Sequence, residues 1–205
     1  MKRKDFFEEL TRHMCHPDAL RKIQRAYWLS KEAHRAQTRD GGERYFEHPR
    51  EVAITLIRRQ YLHSDTICAA LLHDCVEDTF VPADVYVSLF GMQVWKWIER
   101  LSKKIPHHDQ VTGQVIGYVK KATDGYFEQL HSLPVEGRVI KCADRLHNLS
   151  TAHVMDPERK ARYIKETRER ILPLADTTDP WFAARIRQEV KRLESPCETS
   201  TAPSP

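Results

Sequence analysis

Residues 135–149, Val-Glu-Gly-Arg-Val-Ile-Lys-Cys-Ala-Asp-Arg-Leu-His-Asn-Leu, decide the fold. Pro134 starts the segment, and Val139, Ala143, Leu146 and Leu149 return at intervals of three and four, so they share one face of a helix. Lys141, Asp144, Asn148 and Thr151 are spaced three, four and three apart and form a second stripe beside the first. A helix built this way buries one face and carries a carboxylate, an amide, a hydroxyl and an ammonium along the edge of that face. Alone, such a stripe is most often a solvated face paired with its neighbours. In a core helix it can instead present one metal ligand beside several ligand-binding groups.

The same period runs through most of the chain and long alternating runs are missing, so the expected fold class is all-α, a helical bundle. Residues 17–37 open with Pro17 and Asp18 and carry Leu20, Ile23, Ala26, Tyr27, Ala33 and His34 along one side, until Gly41 and Gly42 break the helix. Pro49 suits the first turn of a helix running through Val52, Ala53, Leu56 and Ile57. Ser64 or Asp65 caps a helix through Ile67, Ala70 and Leu71 that ends near Thr79, before Pro82. Phe90 and Gly91 mark a boundary before Val94, Trp97, Ile98 and Leu101. Residues 103–117, with Pro106, His107 and His108, read as a solvated loop able to border a site, and the helical pattern resumes from Gly117 to Leu130. Segments 157–172 and 180–193 are helical. His34 is expected to bond locally at a helix end, and Trp95, Trp97 and Trp181 to serve the core or a partner. One domain over residues 1–193 is expected, and the polar, aperiodic tail 194–205 should be disordered.

Composition narrows the function. The 33 basic and 29 acidic residues give a formal charge of +4, which suits an ordinary solvated surface with local capacity for a polyanionic small molecule and does not argue for nucleic acid. No run approaches the roughly 18 apolar residues of a membrane helix, and the start Met1-Lys2-Arg3-Lys4-Asp5 lacks a signal-like apolar stretch, so no membrane association and a cytoplasmic location are expected. Cys15, Cys68, Cys75, Cys142 and Cys197 are odd in number and lack metal-knuckle spacing, so they read as reduced core residues.

The second polar cluster is His73-Asp74-Cys75-Val76-Glu77-Asp78, which follows the apolar stretch Ile67–Leu72. On a continuous helix Glu77 lies one turn beyond His73, and Asp78 one turn beyond Asp74. An isolated pair of this kind is usually a capped, solvated helix end. Here the helix enters the core first, and burying that many ionisable groups unpaired costs several kcal/mol, so a cation is an economical partner.

Four motifs, in order, carry a family resemblance. Ala33 to Pro49 (AHRAQTRDGGERYFEHP), with a basic residue before a glycine turn and a tyrosine leading to His48-Pro49, resembles the first motif of the alarmone-hydrolase branch of the HD superfamily. His73 to Thr79 is similar to that branch's HDxxEDT motif, Phe90-Gly91 to its next turn, and Ile140 to Leu149 to its KxADRxHN signature. The likeness spans about residues 20–175, including Tyr163 to Pro173 (YIKETRERILP). Tyr126 to Leu133 resembles the small single-domain hydrolases related to the hydrolase domain of RelA/SpoT proteins.

The resemblance implies an HD-domain bundle with a metal site between helices. His48, His73, Asp74 and Asp144 would be the metal ligands and manganese the ion, although a mixed nitrogen and oxygen shell also suits iron, cobalt or zinc. It implies hydrolysis of the 3′-pyrophosphate of guanosine tetra- and pentaphosphate (ppGpp and pppGpp), with Glu77 and Asp78 handling the attacking water. Arg39 would stack on guanine, and Lys141, Asn148, Thr151 and Tyr163 would contact substrate. Asp40 departs from the family, which often has a second basic residue there, and Ser150 stands where arginine is frequent. The competing readings are an HD phosphohydrolase for another nucleotide and a non-catalytic alarmone-binding module. A partner toxin that makes alarmones, and a homo-oligomer, stay open as partners.

Overall fold

The periodicity of residues 135–149 is realised as one helix, α9 (Val135–Ser150), which begins after Pro134 and ends where Thr151 leaves helical geometry. The computed structural model describes residues 3–109, 112 and 115–195. In it α9 packs against α3 (Glu47–Arg58), α4 (Ser64–Leu72) and α12 (Pro180–Glu194). Before α3 run α1 (Arg3–His13) and α2 (Pro17–Ala33); between α4 and α9 lie α5 (Cys75–Asp78), α6 (Ala83–Phe90), α7 (Met92–Leu101) and α8 (Thr123–His131). After α9 come α10 (Pro157–Glu166), a π-helical turn (Thr167–Ile171) and α11 (Leu172–Asp176). The helical bundle is therefore as expected. No helix among the described residues is long and apolar enough to cross a membrane.

The core is centred on α4, whose residues Ile67 to Leu72 are all fully buried because α2, α3 and α7 cover it. Each large apolar side chain so buried contributes about 1.5–3 kcal/mol. From α9, Val139, Ile140, Ala143 and Leu149 join this core, while Asp144 and Lys141 are also drawn under the surface at its edge.

Several boundaries differ from the sequence reading. The helix at Pro17 ends at Ala33, because His34 leaves helical geometry and caps it. The helix from Ser64 is interrupted at His73-Asp74 before α5. Residues 104–108 and 115–120 form an antiparallel hairpin, β1 (Lys104–His108) and β2 (Val115–Lys120), with Lys104 opposite Lys120 and Pro106 opposite Tyr118. His107 thus lies on a strand, and helix resumes only at Thr123. The β-branched and aromatic residues Val115, Ile116, Tyr118 and Val119 fit a pleated surface better than a helix. The Tyr118 hydroxyl donates to the Thr79 carbonyl and fixes the hairpin over the end of α5. Helix α1 was not foreseen; Phe6 and Leu10, four apart, bury it. Cys68, Cys75 and Cys142 are free and buried as expected, but Cys15 is exposed. Of the tail, Glu194 still belongs to α12, and residues 196–205, with Cys197, lie outside the described residues.

Arg145, on α9, is a buried cation held through both terminal nitrogens. It donates to Thr167 Oγ1 (2.9 Å) and to the Glu166 carboxylate, and its guanidinium lies 4.0 Å from the Tyr163 ring centroid. Burial pushes the Glu166 carboxyl up, and Arg145 and Lys103 overcome it, holding Glu166 down at about 2. This network fixes α10 and the π-helical turn against α9, and holds the Tyr163 ring against the Arg145 guanidinium.

Candidate metal centre and adjoining cleft

His48 from α3, His73 and Asp74 from the junction after α4, and Asp144 from α9 meet at one point. The ligand atoms of His48, His73 and Asp74 all lie within 4.8 Å of one another. Asp144 Oδ1 stands 3.1 Å from His48 Nε2 and 3.7 Å from His73 Nε2, so it closes the group. The break in the helix explains how two adjacent residues contribute. Neighbours on a continuous helix diverge by about 100°, whereas here His73 Nε2 and Asp74 Oδ1 approach to 3.2 Å.

The imidazoles are oriented from behind. His73 donates from Nδ1 to the Ala70 carbonyl (2.8 Å), which leaves Nε2 as the lone-pair nitrogen. That Nε2 is buried and has no hydrogen-bond partner, in a residue only 5% exposed. Without a cation, burial lowers the His73 imidazole, but Asp74 and Asp144 outweigh it and push it up to about 9. The carboxylates thus demand positive charge, and a bound divalent ion meets that demand with both imidazoles neutral. The donor set, two nitrogens and two carboxylates, fits such an ion.

Two residues of this site were missed, although both stand inside the quoted motifs. Burial, with His48 and Arg39 adding to it, drives the His147 imidazole down to about 3, so it is neutral. Its Nδ1 faces His48 Nδ1 at 2.8 Å and Arg39 Nη1 at 3.2 Å. Because guanidinium only donates, His147 Nδ1 is the acceptor, His48 carries its proton on Nδ1, and His48 Nε2 is free for the centre. Tyr45, stacked on His34 at 4.7 Å, puts its hydroxyl 2.9 Å from Asp78 Oδ2 and 3.1 Å from Asp74 Oδ2. His34 is buried and bonds Gln37 (2.7 Å), the local role expected of it.

The acids Glu77 and Asp78 flank the centre without completing it. Asp78 is held by Tyr45, and its carbonyl accepts from Gln37 Nε2 (2.6 Å). Glu77 Oε1 accepts from the backbone N–H of Lys103, and burial raises its carboxyl above the usual range despite that bond. Lys141, foreseen as a substrate contact, is buried with its ammonium 2.7 Å from Asp144 Oδ2. It therefore acts first on that carboxylate, which Asn148 Nδ2 also holds at 2.5 Å.

Arg39, Tyr45, Asn148, Thr151, Arg159 and Tyr163 line a cleft of about 280 Å³ that adjoins the centre. Arg39 Nη2 donates to Asn148 Oδ1 (2.5 Å), so the glycine-turn segment and α9 are joined across its floor. Asp40 pairs with Arg159 Nη1 at 2.6 Å, which brings a cation from α10 to the position where the family often has a basic residue next to Arg39.

Fold and site together define a helical domain with a two-histidine, two-carboxylate centre. Residues 26–181 match the family model described as HD domain, and the chain belongs to that family. It is 34% identical over 162 residues to the bifunctional (p)ppGpp synthase/hydrolase SpoT of Escherichia coli K12, covering 77% of this chain and 22% of that protein. It is 36% identical over 177 residues to the guanosine-3′,5′-bis(diphosphate) 3′-pyrophosphohydrolase of Aquifex aeolicus, covering 85% of this chain and 24% of that one. The chain thus spans less than a quarter of the length of these relatives. A solved structure described as a metazoan ortholog of SpoT that hydrolyzes ppGpp shares the fold, with a TM-score of 0.69 at 20% identity, over 87% of this chain and 98% of that one.

Proposed function

We propose that this chain hydrolyses the 3′-pyrophosphate of guanosine tetra- and pentaphosphate, giving GDP or GTP and pyrophosphate, with manganese held by His48, His73, Asp74 and Asp144. The observation that carries the reading is the buried, unpartnered His73 Nε2 facing two carboxylates beside a cleft floored by Arg39. The names of the relatives support the choice of substrate. An ion bound there supplies Lewis acidity and makes water acidic enough to ionise near neutral pH.

The chain's own residues do the rest. Asp78, fixed by Tyr45 and Gln37, takes the proton of the attacking water; Glu77, anchored by the Lys103 N–H, orients that water. Arg39 offers a planar guanidinium to the purine face or to phosphate, and Asn148, Thr151 and Tyr163 line the pocket for base and ribose. Lys141 and Asn148 hold Asp144 in place.

The direct test is product identification after incubation with manganese and the guanosine alarmones. GDP or GTP appears with pyrophosphate in equal amounts; intact alarmone after hours, or faster cleavage of the adenosine analogue, overturns the proposal. Arg39→Ala is expected to act mainly on KM. Loss of a stacked or phosphate-pairing guanidinium costs about 1–3 kcal/mol in kcat/KM, with metal content unchanged. Steady-state kinetics with metal analysis on the same sample checks this, and unaltered kinetics removes the purine-binding role.

A further inference from the structure

The hairpin begins and ends on lysine pairs, Lys103-Lys104 entering β1 and Lys120-Lys121 leaving β2, and its register sets Lys104 directly opposite Lys120. The Lys121 N–H donates to the Lys103 carbonyl (2.8 Å). Antiparallel pairs alternate in kind, so Lys104 and Lys120 form the next, narrow pair, in which side chains stand closest. Like charges set opposite each other destabilise a sheet. The neighbouring pair escapes this, because Glu166 meets Lys103 at 3.1 Å and Glu99 meets Lys121 at 3.2 Å. Lys104 has Asp78 at 3.6 Å, whereas among the described residues no hydrogen bond or ion pair engages the exposed Lys120 ammonium.

The face that carries these two lysines is turned to the metal centre. Side chains two apart on a strand share a face, so Tyr118 lies on the same face as Lys120 and its partner Lys104. From this face the Tyr118 hydroxyl reaches the Thr79 carbonyl and Lys104 reaches Asp78, while the Lys103 N–H holds Glu77. The hairpin is thus fixed to three consecutive residues, Glu77 to Thr79. Asp78 has Oδ2 on the Tyr45 hydroxyl, which also touches Asp74, and Oδ1 toward Lys104, so it stands between the metal group and the hairpin. Tyr45 in turn lines the Arg39 cleft. A nucleotide seated in that cleft with its 3′ group at the metal therefore extends toward Lys104 and Lys120. A solvated hairpin explains one exposed lysine, but not two facing lysines that share a single carboxylate on the face anchored to the acids.

We propose that Lys104 and Lys120 bind the terminal phosphate of the 3′-pyrophosphate, the part of the nucleotide that lies beyond the metal and is released as pyrophosphate. This subsite presupposes alarmone hydrolysis at the metal centre, and it makes the chain select a 3′-pyrophosphate over a 3′-monophosphate.

Equilibrium binding to the full manganese-loaded chain carrying Glu77→Gln tests it, with guanosine tetraphosphate and guanosine 5′-diphosphate 3′-monophosphate as the two probes. Adding Lys120→Ala is expected to weaken the tetraphosphate about fivefold and the monophosphate analogue by less than about twofold. Lys120→Glu should weaken the tetraphosphate further, and Lys120→Arg should restore it. Lys120 is exposed, so circular dichroism should be unchanged in all three. Lys104→Met should likewise weaken the tetraphosphate more than the analogue. Equal losses on the two nucleotides, or no loss on the tetraphosphate, overturn the subsite while alarmone hydrolysis stands. Binding of neither nucleotide before any lysine is changed removes the alarmone reading, and the subsite with it.

Discussion

Alanine at His73 or at Asp144 is expected to abolish stoichiometric metal binding at the proposed centre, and the proposed hydrolysis with it. The expectation follows from how the four groups converge. His73 Nε2 has no hydrogen-bond partner and faces Asp74 Oδ1 at 3.2 Å, and Asp144 Oδ1 lies within 3.7 Å of both imidazoles, so each substitution removes one of the four proposed donors. Changes to the outer partners of metal ligands typically cost about 10–100-fold in affinity or activity, so loss of a direct ligand should exceed about 100-fold. Asp144→Ala carries a second penalty, because Lys141 is left buried without its carboxylate, and its thermal stability should drop more than that of His73→Ala. Metal analysis of the purified variants, alongside a melting curve, separates the two effects. Full metal occupancy in both variants would remove the proposed centre.

The parts of the fold legible from sequence were those in which burial enforces a single period. Helix α9 and the apolar run of α4 are surrounded by other helices, so their side chains repeat with the helix and little else. The hairpin was not legible, because Val115, Ile116, Tyr118 and Val119 satisfy a short helical window as readily as a strand, and pairing with residues 104–108 is a long-range fact. Helix α1 rests on Phe6 and Leu10 within a charged segment, a pattern too short to stand out.

At the site, the proposed ligands came from motif order, whereas His147 and Tyr45 act through contacts that only folding creates. One faces His48 across 99 residues, and the other reaches Asp74 across 29. The break at His73-Asp74 was hidden for a related reason. Helical propensity continues through Asp78, and His73 and Asp74 themselves keep right-handed helical dihedrals, so no residue type marks the interruption.

Glu77→Gln and Asp78→Asn are expected to keep the fold, the metal and nucleotide affinity while turnover collapses. Neither carboxylate is needed to complete the His48, His73, Asp74 and Asp144 shell, and each is fixed by a bond that its amide counterpart can retain. In Glu77→Gln the amide oxygen can still accept from the Lys103 N–H. In Asp78→Asn the amide oxygen can still accept from the Tyr45 hydroxyl, so only the titratable charge is lost. General acid or base groups contribute about 10²- to 10⁴-fold, so each kcat should fall by at least the lower figure. The structure also ranks the two. Asp78 shares the Tyr45 hydroxyl with Asp74 and so borders the metal group directly, whereas Glu77 is turned toward β1 and raised by burial. Asp78→Asn should therefore cost more in kcat than Glu77→Gln. Single-turnover kinetics at saturating nucleotide, with metal content measured in parallel, decides it. Metal loss in either variant reassigns that residue to the coordination shell, and near-normal turnover with the metal retained shows that another group activates the water.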